Sequence, residues 1–244
     1  MKDSIAELRQ ALEESAAVVA LTGAGISAES GVPTFRGANG LWRNFSPEKL
    51  ATPEAFAENP RLVWEWYDWR RSMIREARPN AGHLALVELE RRKTAQGASG
   101  FTLVTQNVDG LHDRAGNRNT VKLHGDLWLV RCTGCGAVER NEEVPLRGLP
   151  PHCRCGALLR PGVVWFGEPL PTDAWERAAR ASASARIFLV IGTSAIVYPA
   201  ASLAREAREA GARLAIVNPE PTPLDPMADW VLRGPSGEIL PRLL

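Results

Sequence analysis

An apolar strand that runs straight into a glycine-rich turn constrains this chain more than any other feature. Val18-Val19-Ala20-Leu21-Thr22 is apolar almost throughout, as a strand covered on both faces must be. Gly23-Ala24-Gly25-Ile26-Ser27-Ala28 follows without a break. The spacing Gly23-x-Gly25-x-x-Ala28 lets the backbone come close to a pyrophosphate and present its N–H groups to it. An ordinary dinucleotide turn would then enter a long apolar helix. Here the chain continues through Glu29-Ser30-Gly31-Val32-Pro33-Thr34-Phe35-Arg36-Gly37 instead. A phosphate cradle followed by a long polar flap points to a cofactor that is bound and then chemically broken, not merely oxidised or reduced.

Similar apolar runs recur at Phe101–Thr105, Thr120–His124, Ile187–Gly192, Arg213–Asn218 and Trp230–Arg233. Helical patterns lie between them at Ala81–Arg92, Asp173–Ala183 and Ala200–Ala210. This alternation predicts an α/β fold, a parallel sheet with helices on both faces and ligands outside the carboxyl ends of its strands. A surface helix is expected at the amino terminus, where Ser4 and Glu7 fit a capping box and Ile5, Leu8 and Leu12 share a face. Two stretches break the rhythm. One, from about Val32 to Pro79, is rich in tryptophan and helical pattern; the other, from about Leu129 to Arg160, holds all four cysteines. They predict a small lobe (32–79 and 129–160) inserted into a sheet domain made of 1–31, 80–128 and 161–244. A length of 244 residues allows one large domain plus such a module. The net charge of +1 argues against bulk binding to nucleic acid or to an anionic membrane. With no signal-peptide core and no membrane-spanning run, a cytoplasmic location is expected.

The cysteines read Cys132-x-x-Cys135, then seventeen residues, then Cys153-x-Cys155, with Gly134, Gly136 and Gly156 at the turns. Two close pairs of thiolates suit one tetrahedral zinc. Two disulfides are the competing reading, but a Cys-x-Cys bridge would be strained and a cytosolic chain keeps its thiols reduced. Four protein ligands leave no open position, so the metal would be structural. Polar groups gather at successive strand ends. Gln106, Asn107 and Asp109 offer amide and carboxylate groups suited to ribose hydroxyls and a carboxamide. His124 can act as a base near neutral pH, and Gly125 after it leaves space beside the ring. His83 and His112 fall in or beside helices and His152 in the cysteine module, so they are less well placed. Gly192-Thr193-Ser194 and Asn218 end two further strands, with Glu220 just beyond.

Assembled in this order, the motifs resemble those of the sirtuins, the NAD-dependent protein deacylases. The resemblance rests on Gly23-Ala24-Gly25-Ile26-Ser27, Gly31-Val32-Pro33-Thr34-Phe35-Arg36, Thr105-Gln106-Asn107-Val108-Asp109 and Leu123-His124-Gly125. It continues through the four cysteines, Pro161-Gly162-Val163-Val164-Trp165-Phe166-Gly167-Glu168, Gly192-Thr193-Ser194 and Asn218. It implies a Rossmann-like large domain, a small lobe holding one structural zinc, and NAD+ and acyl-lysine meeting in the cleft between them. Gly23, Ala24, Gly25, Ile26 and Ser27 would lie near the diphosphate, with Glu29 close by. Pro33, Thr34, Phe35, Arg36 and Trp42 would belong to the cofactor loop. Gln106, Asn107, Val108 and Asp109 would hold the ribose and the nicotinamide amide. Gly192, Thr193, Ser194, Asn218, Pro219, Glu220 and Ser236 would surround the adenosine half. His124 would be the base, with Asn107 fixing the reacting geometry. Val164, Phe166, Gly167 and Glu168 on one side, and Val197 and Tyr198 on the other, would flank a substrate chain added as a strand.

Within that resemblance Tyr67-x-x-Arg70 refines the subtype. Spacing of three puts both side chains on one helix face, and Arg with Tyr can grip a carboxylate. The pair is similar to the recognition element of class III sirtuins, which remove succinyl, malonyl and glutaryl groups; Ala51 would leave room for the longer chain. The reaction implied yields nicotinamide, free lysine and O-acyl-ADP-ribose, with acetyl groups also accepted. The partners would be acylated proteins or peptides, not nucleic acid or membrane, and a monomer is plausible. An NAD-dependent dehydrogenase is the rival enzyme, but it expects an acidic residue after the second strand, where Thr105-Gln106-Asn107 stands. A zinc-ribbon module that binds without catalysis is a rival of another class, and mono-ADP-ribosyl transfer is a rival reaction for the same cleft.

Overall fold

The apolar runs become parallel strands of one sheet, because each is covered on both faces. A computed structural model describes residues 2–34, 46–96 and 100–244. Helix α1 (Lys2–Glu14) leads into β1 (Val18–Thr22) and the single turn α2 (Gly25–Ala28). Helices α3 (Pro47–Leu50), α4 (Pro53–Glu58) and α5 (Pro60–Glu76) follow. The chain then returns through α6 (Ala81–Gln96), β2 (Phe101–Thr105), α7 (Leu111–Ala115) and β3 (Thr120–Lys122). Next come β4 (Gly125–Cys132), β5 (Val138–Arg140) and β6 (Leu159–Val163). The remainder is α8 (Thr172–Ser184), β7 (Ile187–Ile191), α9 (Ser202–Glu209), β8 (Arg213–Val217), β9 (Trp230–Leu232) and α10 (Ser236–Ile239).

The large sheet has the order β3-β2-β1-β7-β8-β9 with every neighbouring pair parallel. The order reverses between β1 and β7, which opens a crevice at their carboxyl ends. Alternate residues point to opposite faces. Val18, Ala20, Leu103 and Leu189 pack with Leu8, Leu12 and Leu86 from α1 and α6. Val19, Leu21, Val104 and Val190 pack with Ala178 from α8 and Leu203 and Ala207 from α9. The two interrupting segments share a third core. Trp64, Tyr67 and Ile74 of α5 meet Trp128, Val130 and Leu159 of the small antiparallel sheet β5-β4-β6. The small sheet takes its strands from Gly125 to Val163.

Local chemistry explains the helical module. Thr52 caps α4 by accepting from Ala55 N at 3.1 Å, and Asn59 caps α5 by accepting from Leu62 N at 3.0 Å. Pro53 and Pro60 occupy first positions, where no N–H is needed. The Trp64 indole donates to Leu159 O at 2.7 Å and ties α5 to β6. Some element boundaries differ from expectation. Four strands end at Lys122, Ile191, Val217 and Leu232, before the polar or glycine residue assigned to the end of each. Helix α6 extends beyond the Ala81–Arg92 pattern to Gln96, and α1 already begins at Lys2. Ser4 therefore lies within α1 and is not its cap, while Glu7 accepts from the Trp230 indole at 3.4 Å. The face of Ile5, Leu8 and Leu12 is buried as the pattern predicts.

Candidate active site

A cleft of about 760 Å³ lies at the switch point between β1 and β7 and extends to the small lobe. Its floor is an interlock of backbones. Gly23 N donates to Ile191 O at 3.0 Å and Gly25 N to Gly192 O at 2.7 Å. A Cβ on Gly25 would stand 2.6 Å from Gly192 O, and one on Gly192 2.4 Å from Ile26 N. These glycines are therefore demanded first by the neighbouring chain. The cradle also differs from the one expected. Ile26 N and Ser27 N turn back to Gly23 O and Ala24 O, so only the Ala24 N–H of this turn lacks an acceptor among the described residues. Gly23, Ala24, Gly25, Glu29 and Thr34 line the cleft; Ile26, Ser27 and Pro33 do not. Phe35, Arg36 and Trp42 lie outside the described residues.

The turn after β2 divides into a facing and a buried half. Gln106, Asn107 and Val108 line the cleft, and Gln106 Nε2 donates to Thr193 Oγ1 at 3.3 Å. Asn107 Nδ2 donates to Gly23 O at 3.1 Å and to Ser27 Oγ at 3.2 Å, which fixes its amide beside the turn. Asp109 points inward and is 4 % exposed; its carboxylate accepts from Ser27 Oγ at 2.8 Å and from Leu111 N at 2.8 Å. It underlies the turn and does not line the cleft. Beneath it lie two histidines that sequence reasoning set aside. His83 and His112 stack with centroids 4.9 Å apart. Asn80 N donates to His83 Nδ1 at 3.3 Å, which leaves His83 Nε2–H directed at Ser27 Oγ, 3.5 Å away. Thr22 Oγ1 donates to Thr105 Oγ1 and accepts from His112 Nε2 at 2.9 Å. Burial lowers both imidazoles to about 4, so both are neutral at pH 7.

His124 lines the cleft. Its Nδ1 lies 2.9 Å from Gln106 O. A carbonyl only accepts, so Nδ1 carries the hydrogen and Nε2 keeps its lone pair. Burial lowers its pKa and the bond to Gln106 O opposes that shift. Gly125 does not make room for the ring: at φ +80°, its missing Cβ clears Gly162 O, which would be 2.3 Å away. The segment after β6 crosses close by. Val164 N donates to His124 O and Phe166 N to Ala51 O, each at 2.9 Å. Phe166 and Tyr198 stay largely exposed at the rim, with Gly167, Glu168 and Val197 beside them.

Tyr67 and Arg70 line the far end of the cleft on α5. Arg70 is 5 % exposed, so it is not on a solvated helix face. Its guanidinium lies 4.8 Å from the Trp66 ring and 5.8 Å from the Tyr67 ring. Burial lowers the Arg70 pKa and raises that of Tyr67, which keeps the phenol protonated. At the opposite end, Asn218 Nδ2 donates to Glu220 O at 2.7 Å, and Pro219, Glu220 and Ser194 line the wall. Glu29 Oε1 accepts from Gly237 N at 2.8 Å and braces α10. Ser236 Oγ is buried in this wall without a hydrogen-bond partner among the described residues. An orphaned hydroxyl, a switch-point crevice and a facing carboxamide fit a dinucleotide.

The four cysteines converge although seventeen residues lie between Cys135 and Cys153. Their sulfurs all lie within 4.8 Å of one another, with Cys132 to Cys155 at 3.4 Å and Cys135 to Cys153 at 3.8 Å. Sulfurs about 2.3 Å from one tetrahedral zinc sit about 3.8 Å apart, so the cluster fits that ion. No disulfide joins them. Cys135 N–H, aided by Gly134 N–H, draws the Cys132 thiol down to about 6 and favours the thiolate a metal needs.

The Sir2 family pattern matches residues 23–199. A relative from Thermus thermophilus named NAD-dependent protein deacylase is 56 % identical over 243 residues, 99 % of this chain and 94 % of its own. A solved complex of a Sir2 homologue with NAD is 50 % identical, with a TM-score of 0.90 over 98 % of this chain and 91 % of that one. A second Sir2 structure, bound to a myristoylated histone peptide, is 36 % identical, with a TM-score of 0.80 over 100 % of this chain and 95 % of that one.

Proposed function

Since the chain belongs to the Sir2 family, we propose that it is an NAD-dependent protein-lysine deacylase that favours acyl groups ending in a carboxylate: succinyl, malonyl and glutaryl. The observation that carries the preference is the buried pair Tyr67 and Arg70, which closes the cleft with a phenol and a guanidinium. A guanidinium and a protonated phenol three residues apart on one helix, both lining the cleft, offer two directed donors to a carboxylate that meets both. Ala51 has only a methyl group and leaves length for the acyl chain. Acetyl-lysine, which makes neither contact, is a weaker substrate in this reading.

Bound NAD supplies a ribose whose anomeric carbon becomes electrophilic as nicotinamide departs. Asn107 holds the nicotinamide end, because its amide is fixed by Gly23 O and Ser27 Oγ. Asp109 acts from below by holding Ser27. Nε2 of His124 takes a proton from a ribose hydroxyl, with Nδ1–H anchored on Gln106 O. Gly192, Thr193, Asn218 and Ser236 hold the adenosine half. With one water consumed, NAD and acyl-lysine would give nicotinamide, free lysine and O-acyl-ADP-ribose, the acyl group passing from the lysine nitrogen to a ribose oxygen. The peptide lies between Phe166-Gly167-Glu168 and Val197-Tyr198. Residues 32–79 and 129–160 act as one lobe, supported by their shared core. The enzyme works in a reducing cytoplasm, where four free thiols persist.

The test is a panel of acetyl-, succinyl-, glutaryl- and myristoyl-lysine peptides with NAD, read by mass spectrometry for wild type and Arg70→Met. A sharp loss on succinyl and glutaryl peptides, with the acetyl peptide much less affected, is expected. Equal losses on all peptides refute the clamp, and a wild type that works only on the myristoyl peptide replaces it with an apolar acyl tunnel.

A further inference from the structure

Trp165 touches Tyr67 in a way that fixes what the phenol can do. Its indole Nε1 lies 3.0 Å from Tyr67 Oη, and both groups are buried. An indole N–H can only donate. The Tyr67 oxygen is therefore an acceptor in this bond, and its own hydrogen must point elsewhere. Among the described residues no acceptor for that hydrogen is seen, and Tyr67 faces the cleft.

The indole is itself held on several sides. Arg160 stacks over the Trp165 ring at 3.5 Å. The guanidinium is bidentate to Glu168, at 2.6 Å and 2.8 Å, and Glu168 Oε2 also accepts from Trp165 N at 2.8 Å. Phe56 closes the remaining side with its centroid 5.3 Å away. The ion pair is shielded, with side-chain exposures of 16 % and 23 %, so its geometry is better defined than that of a surface pair. The same Glu168 sits in the segment that flanks the substrate groove, which links the groove to the end of the acyl pocket.

We infer that Trp165, clamped by the Arg160–Glu168 pair, is a positioning residue for acyl specificity: it compels the Tyr67 hydroxyl to donate into the pocket, toward an anionic acyl terminus. This rests on the carboxylate-clamp reading of Tyr67 and Arg70. Without the indole donor, Tyr67 could turn its hydrogen onto another oxygen and present an acceptor lone pair to the carboxylate. The pocket would keep its shape and its Arg70 charge but lose one of its two directed donors.

The experiment is a double-mutant cycle of Trp165→Phe and Tyr67→Phe, read as the ratio of kcat/KM for succinyl- over acetyl-lysine peptide. The calorimetric Kd ratio of the two peptides without NAD is the second readout. Trp165→Phe should lower both ratios about tenfold, the worth of one hydrogen bond to a charged group. In the Tyr67→Phe background it should lower them no further, because the atom it acts through is gone. Should Trp165→Phe not fold, benzothienylalanine at position 165 keeps the bicyclic ring and lacks the N–H, and the same values are expected. Unchanged ratios, or an equal drop in both backgrounds, overturn the inference. If Arg70→Met collapses the ratio while Trp165→Phe leaves it, this inference alone fails; a wild type with no Arg70-dependent preference overturns both.

Discussion

Replacing Gly192 by alanine should destabilise the protein in the absence of any cofactor. Its φ of +57° is left-handed, which costs an alanine about 1–2 kcal/mol. The new Cβ would stand 2.4 Å from Ile26 N and 2.8 Å from Gly25 C. Both are backbone atoms, so no rotamer relieves the clash, and overpacking of this kind costs about 1–3 kcal/mol. The sum is about 2–5 kcal/mol. Gly31→Ala is the control, with a φ of +80° and nothing within 4 Å of its Cβ. It should cost about 1–2 kcal/mol at most. Gly25→Ala falls between, because its contact of 2.6 Å with Gly192 O is partly offset by better helix propensity, up to about 1 kcal/mol. Urea unfolding followed by circular dichroism, without NAD, measures all three variants. A Gly192→Ala variant no less stable than Gly31→Ala refutes the interlock. A fall in NAD affinity with unchanged stability would show that these glycines serve the cofactor alone.

His124→Ala should retain NAD binding by calorimetry and lose turnover by about 10²–10⁴; retained single-turnover nicotinamide release and deacylation would remove its role as base. Stability should fall as pH drops from about 6.5 toward 4, since burial holds His83 and His112 near 4 while the unfolded chain returns them to about 6.5. The unfolded state then binds up to two more protons, a slope approaching about 1.4 kcal/mol per pH unit for each imidazole, and His112→Gln should flatten urea midpoints measured across that range. Purified protein should release one zinc per chain on titration with a thiol-reactive mercurial, with tryptophan emission shifting to the red as the core around Trp64 and Trp128 opens; release without a spectral change would separate the metal from the core.

The sheet was legible because its chemistry is repetitive. Val18–Thr22 and Ile187–Ile191 are buried along their whole length, so they had to read as unbroken apolar runs between helical periods. The cysteine cluster was legible for a different reason: thiolates in two close pairs serve few purposes, and Gly134 and Gly136 mark the turns around the first of them. The ends of elements were less legible. The residues just past a strand, such as His124, Gly192 and Asn218, are polar or glycine for reasons other than strand pairing, Gly192 because the Ile26 backbone leaves its Cβ no room, and sequence pattern alone extends the strand through them. Ser4 and Glu7 carry the letters of a capping box yet fall inside α1, since burial of Ile5 and Leu8 sets the helix and a cap only trims it.

The layer beneath the site could not be read along the chain, because its members meet only across the fold. Ser27, His83 and Asp109 come from three separate elements, and each has an ordinary local explanation: a turn, a helix face, an Asx cap. Trp165 belongs to a recognisable motif, but that its indole donates to Tyr67 depends on α5 passing over β6. The distinction among the histidines shows what the missing dimension supplies. His83, His112 and His124 all lie near polar strand ends, and burial lowers all three pKa values. What separates them is the second nitrogen. His112 Nε2 is held by Thr22 and His83 Nδ1 accepts from Asn80, both below the floor. His124 alone of these lines the cleft, and its Nδ1 is held by a carbonyl, which compels the lone pair onto Nε2. In the proposed mechanism the base is defined by which ring nitrogen the backbone occupies, and that follows from β3 lying beside β2, where Leu123 N donates to Thr105 O and the next residue, His124, meets Gln106 O.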